Sequence, residues 1–157
     1  MKTARKVAET PQEKRDRELH ELGADSMASI REMVAAMDAK DADGNDDDDA
    51  RETAIEVIRE DALSVEIRAD WREPGAENED SEFRILLCTG GPAVRIVGEL
   101  RDGQPHRAWL ECQDWGTPWT EYIERTPDKH NYDHPTPHSL NCQFLLAYAS
   151  CFYFGEG

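Results

Sequence analysis

The chain has no apolar run approaching the roughly 20 residues that span a bilayer. Its first ten residues, MKTARKVAET, lack the apolar core of a secretory signal. Both absences predict a cytoplasmic protein with no membrane partner. No C-x-x-C pair, G-x-S-x-G elbow, H-E-x-x-H pair or G-x-G-x-x-G loop occurs. The sequence therefore offers no catalytic residue, no metal set and no cofactor-binding loop to build on. Cys88, Cys112, Cys142 and Cys151 are widely separated. In a reducing compartment they are expected as small apolar core residues.

Positive charge is also scarce. Among 157 residues, 18 Lys and Arg stand against 34 Asp and Glu, a formal net charge of −16. Such a chain repels DNA, RNA and anionic membranes and attracts basic protein surfaces. With 38% hydrophobic and 33% charged residues, part of it is expected to lie outside any core. The charge is uneven. Met1–Met37 holds seven acids and seven bases; Asp38–Glu82 holds eighteen acids and five bases; Phe83–Gly157 holds nine and six.

Within the middle segment, DAKDADGNDDDDARE (Asp38–Glu52) carries seven aspartates and one glutamate. Aligned as a calcium loop with Asp41 first, Asp43, Asn45, Asp47, Asp49 and Glu52 fall on ligand positions. The alignment fails where the turn needs glycine, at Asp46, and where an aliphatic belongs, at Asp48. A run this rich in aspartate meets alternate positions by chance. Two readings remain: a solvated loop held open by self-repulsion, or a surface that imitates spaced phosphates. The second makes Asp46, Asp47, Asp48, Asp49, Glu52, Glu56 and Glu60 candidates for binding a basic partner. Glu77 and Glu79, in the acidic loop EPGAENEDSE, join them.

The periodicity predicts an α+β fold. TPQEKRDRELHELG reads as a polar helix with Gly23 as its stop, which makes 1–24 an arm and 25–157 one domain with an acidic loop at 38–50. DSMASIREMVAAMDAK places Met27, Ile30, Val34 and Met37 on one helical face. In DARETAIEVIREDA, Ala54, Ile55 and Ile58 should face inward. Alternation then takes over: Leu63, Val65 and Ile67 alternate with Ser64, Glu66 and Arg68, as in a half-buried strand. EFRILLCT, AVRIVGEL and HRAWLECQDW read as three more strands, and the turns TGGP and RDGQ make an antiparallel meander. SLNCQFLLAYASCFYF closes the chain as a helix whose stripe Leu140, Phe144, Tyr148 and Phe152 should cover the sheet. The expected fold is N-terminal helices, a four-stranded sheet and a C-terminal helix packed on it.

Two further clusters ask for chemistry. His130, His134, His138 and Cys142 recur every fourth residue, but Pro135 and Pro137 break any helix that would align them for zinc. Trp115, Trp119 and Tyr122 lie close together, either as sheet-edge packing or as an aromatic anchor for a protein partner.

The blocks EFRILLCTGGPAVRIVGEL, QDWGTPWTEY and LLAYASCFYFGE resemble a group of small phage and prophage proteins of unassigned function. The resemblance implies a mobile-element setting and carries no catalytic residues with it. In that setting the acidic surface favours a protein that engages a basic host protein, such as a nucleic-acid-binding defence complex (CRISPR or restriction) blocked by DNA mimicry. An accessory enzyme of phage DNA or nucleotide metabolism, or a structural or assembly component, remains open.

Overall fold

The computed structural model describes residues 8–77, 79–125, 132–133 and 140–155. Helix α1 (Pro11–Ala36) starts on a capping box: the Glu13 amide donates to Thr10 Oγ1 at 3.2 Å, and the Thr10 amide donates to Glu13 Oε2 at 2.7 Å. Two of the backbone donors left over at a helix start are thereby satisfied. Met27, Ile30 and Val34 are buried along one face, and Met37 packs at its edge. Gly23 does not stop this helix. It lies buried inside α1, so the division at residue 24 falls mid-helix. The reason is tertiary: Gly23 lies directly against the Tyr122 ring, where any Cβ would overlap it.

Helix α2 (Asp48–Asp61) follows, with Ala54 and Ile58 buried and Ile55 half-buried. The strands are β1 (Ser64–Ala69), β2 (Asp80–Cys88), β3 (Ala93–Arg101), β4 (Gln104–Gln113) and β5 (Thr120–Glu121). They form one antiparallel sheet in the order β1-β2-β3-β4-β5. The short β5 makes the sheet five-stranded, one more than the alternation indicates. β6 (Glu124–Arg125) and β7 (Tyr132–Asp133) pair separately. Helix α3 (Leu140–Ala149) is the last described element, and the described chain runs on to Gly155.

One sheet face carries the core: Phe83 and Ile85 from β2, Val94 and Ile96 from β3, and Ala108, Leu110 and Cys112 from β4. α1 and α3 lie against β4, and α2 packs on α1. The stripe of α3 that is buried is Cys142, Leu145, Tyr148 and Ala149; Leu140 is exposed, contrary to the expected phase. The helix ends at Ala149, so Phe152 lies beyond it. α3 is apolar nearly all round, and its periodicity therefore does not fix which face turns inward.

The strand β1 also departs from expectation. Val65 and Ile67 pair with Ile85 and Phe83 and thus share the core face, yet Leu63 is 57% and Ile67 45% exposed. The helical layer sits over β4, three strands or about 14 Å away. Phe154 covers Phe83 with ring centroids 4.9 Å apart, and the described cover ends there.

Candidate acidic protein-binding site

The aspartate run is a built turn. The Asp41 carboxylate accepts from the Asp43 and Asn45 amides, both at 2.9 Å, and Lys40 pairs with Asp46 through backbone and side chain. Gly44 supplies the positive φ of 84° that closes it. Hydrogen bonds from the Asn45 and Asp43 amides hold the Asp41 carboxyl below its ordinary value, and the ammonium of Lys40 does the same for Asp46. Asp47 caps α2, accepting from the Ala50 amide at 2.9 Å. The loop is therefore not held extended by repulsion. Three of its carboxylates, Asp41, Asp46 and Asp47, are committed to local structure.

Helix α2 differs. Asp48, Glu52, Glu56 and Glu60 follow at four-residue steps, a ridge with about 6 Å of axial rise between carboxylates. Asp49 lies beside its start, and all five are exposed. The two arginines of the helix turn back into the protein: Arg59 Nε donates to the Cys151 carbonyl at 2.8 Å, and Arg51 Nη1 to the Met37 carbonyl at 3.5 Å. Asp61 is likewise engaged, accepting from the Tyr148 hydroxyl at 2.7 Å. Among the described residues, none of Asp48, Asp49, Glu52, Glu56 and Glu60 forms an ion pair. Arg51 and Arg59 are themselves exposed, but their guanidinium groups hydrogen-bond backbone carbonyls and pair with none of these carboxylates.

This arrangement opposes local stability. Each like-charge pair at four-residue spacing costs about 0.2–0.5 kcal/mol, so the three steps of the ridge together cost about 1 kcal/mol. The helix dipole disfavours Glu60 in the last turn, but it favours Asp48 and Asp49 in the first turn and Arg59 in the last, so the opposition comes from the ridge repulsion. Burial of Ala54 and Ile58 holds the helix despite this.

The outer face of the sheet is the contrast. Glu66 pairs with Arg84, Arg68 with Glu82, Arg95 with Glu111 at 2.7 Å, and Arg107 with Glu99 at 3.6 Å. Each pair is a direct cross-strand neighbour, so this face is nearly neutral. Trp119 joins it by stacking on the Arg95 guanidinium, 4.1 Å from the ring centroid. Trp115 is exposed on the turn before β5, against Gly91. Tyr122 is buried beneath α1, beside His20. The three aromatics therefore occupy three environments and do not form one surface.

Glu77 and Glu79 are exposed on the β1–β2 connection, which starts at the far end of β1 from α2. Six strand residues, about 20 Å, separate that connection from the end of the helix. They line an open groove of about 610 Å³ with Asp70, Trp71, Arg72 and Arg101. No histidine or cysteine lines that groove among the described residues, and no nucleophile–base pair is set there.

A second polar cluster ties the helices together. Arg31 on α1 donates to Glu124 Oε2 at 2.7 Å and to Asn141 on α3, whose Nδ2 donates to the same Glu124 oxygen at 2.9 Å. Burial pushes the Glu124 carboxyl up, but the hydrogen bonds from Arg31 and Asn141 outweigh it and hold the group below its ordinary value. His130, His134 and His138 lie outside the described residues, and Cys142 is buried in α3. Among the described residues no helix is long and apolar enough to cross a membrane.

No protein-family model, curated protein or solved structure matches the chain. Sequence reasoning named the ridge carboxylates but could not see that Arg51 and Arg59 hydrogen-bond the Met37 and Cys151 carbonyls. It missed the charge ladder on the outer face, although alternate Arg and Glu in VEIRA, SEFR and VRIVGELR carry its signal.

Proposed function

We propose that this chain is a non-enzymatic binding protein that presents the α2 carboxylate ridge to a basic groove on a nucleic-acid-binding protein. The observation that supports it most is that Arg51 and Arg59, though exposed, hydrogen-bond backbone carbonyls, while Asp48, Asp49, Glu52, Glu56 and Glu60 stand without ion pairs among the described residues. The fold does not require that arrangement, and the ridge repulsion works against it. A rigid helix also presents charge without the ordering cost of about 1–2 kcal/mol per residue that a mobile loop would incur.

The carboxylate line is more dilute than DNA. One duplex strand carries a charge every 3.4 Å of axis, so the roughly 6 Å step of the ridge imitates a few phosphates at about half density. The fit is to a groove that grips a short stretch of backbone. In the mobile-element setting that the sequence blocks suggest, the partner is a host defence complex, and occupation of its groove blocks nucleic acid.

The test is affinity capture from a bacterial lysate with the full chain at graded salt. Exposed charges are screened over about 8 Å at physiological ionic strength, so specific capture of nucleic-acid-binding proteins should fall steeply as salt rises. Capture insensitive to salt would argue for an apolar interface and against this reading.

A further inference from the structure

β1 ends the sheet, and among the described residues no strand pairs with its outer edge. Leu63, Val65 and Ile67 are exposed on its core-side face, and Trp71, just past the strand, is fully exposed. Such an edge is a template for another strand, and proteins ordinarily blunt it. Here the charges, Glu66 and Arg68, are arranged so that the strand complements itself.

In an antiparallel pair, directly opposed residues share a face. When β1 meets a second β1 about a two-fold axis, the register decides which charges and which apolar side chains are opposed. A two-fold axis at Glu66 would oppose Glu66 to its own copy, and one at Arg68 would oppose two arginines. An axis at Val65 would set Ser64 against Glu66 and leave Arg68 without an acid opposite. An axis at Ile67 opposes Glu66 to Arg68 twice and Ile67 to Ile67, and brings Leu63 and Val65 toward the segment of the other copy past the register shift between Arg68 and Ala69, where Trp71 is exposed. Of these four registers, it alone sets each charge opposite its opposite and an exposed isoleucine against its copy.

We propose that a second copy of this chain adds to the β1 edge about a two-fold axis at Ile67, making one ten-stranded antiparallel sheet. Glu66 already pairs with Arg84 and Arg68 with Glu82 within one chain. The dimer extends that row across the axis as Glu82, Arg68, Glu66, Arg84 with alternating sign. These exposed pairs select the register, and the apolar strip supplies the attraction. Two chains of −16 repel, but beyond about 8 Å that repulsion is screened at physiological ionic strength. The proposal does not rest on the α2 ridge, which belongs to a different element.

Sedimentation of the full chain at physiological ionic strength should give twice the 17.8 kDa mass. Glu66→Arg and Arg68→Glu each place like charges at both crossings and should weaken association by roughly a hundredfold or more. Mixing the two variants restores opposite charges and should recover a heterodimer. A monomeric wild type overturns the proposal and leaves the edge to another protein. A dimer that neither substitution weakens, or a mixture that stays monomeric, also overturns it. Should either variant fail to fold, nitroxide labels decide the matter in a Cys88→Ser background. Labels at Ile67→Cys should lie about 5 Å apart, and those at Leu63→Cys about 27 Å, eight strand residues along. Equal separations, or the reverse order, rule out the axis at Ile67.

Discussion

Gly23 of α1 packs directly on the Tyr122 ring, and this contact explains why a glycine sits in the middle of a 26-residue helix. Alanine would improve helix propensity by about 1 kcal/mol, yet its Cβ would overlap a buried ring, and overpacking costs about 1–3 kcal/mol. Gly23→Ala should therefore lower stability by up to about 2 kcal/mol in urea unfolding. In a Tyr122→Ala background the same substitution should become neutral or stabilising. An equal penalty in both backgrounds would place the strain elsewhere.

The ridge carries a stability prediction separate from binding. Glu52→Gln, Glu56→Gln and Glu60→Gln together remove all three repulsive steps and leave Asp48 in the first turn, where the helix dipole favours it. The variant should be more stable than the parent by about 1 kcal/mol. Adding salt should stabilise the parent more than the variant. A less stable variant would mean that these carboxylates hold the fold, and their retention would then need no partner.

Acid should release the Arg31–Glu124–Asn141 cluster. The folded Glu124 value lies below its ordinary 4.5. Its contribution is therefore complete above the unfolded value and is lost as pH falls through the lower folded one. Glu124→Gln should cost about 1–2 kcal/mol at neutral pH for this part-buried, charge-assisted site. The gap between parent and variant should narrow below pH 4.5. A gap unchanged down to acid unfolding would show that the carboxylate's charge contributes nothing.

The cysteines should differ in reactivity. Cys112, Cys142 and Cys151 are buried, and Cys88 is only partly so. Burial, reinforced by Cys88 and Glu111, pushes the Cys112 thiol up to about 12. Burial also raises Cys151. With a thiolate-specific reagent at mildly alkaline pH, Cys88 should react first in the native chain and all four thiols only after unfolding. Rapid native reaction at Cys112 would contradict the packing of β4 in the core.

How far the sequence shows this structure depends on where each determinant lies. The meander is legible because Val94 and Ile96, or Leu110 and Cys112, alternate locally between turn signals. The α1 core face is legible because Met27, Ile30 and Val34 repeat at helical spacing. Gly23 is not, because only the distant Tyr122 turns a local helix penalty into a close packing contact. Nor can alternation in β1 reveal whether a layer lies above it: Leu63 and Ile67 obey the pattern and remain exposed. The ridge was half visible, since charge spacing is local, while the reach of Arg59 to the Cys151 carbonyl is not.

Binding of the α2 ridge to a basic nucleic-acid groove is tested by capture from lysate with three full-length chains: the parent, the neutralised ridge variant, and a Glu77→Gln, Glu79→Gln control, each eluted with duplex DNA. Parent and control should retain the same basic proteins, duplex DNA should release them, and the ridge variant should retain at most a tenth as much. Undiminished capture by the ridge variant, or capture that duplex DNA does not displace, would contradict it.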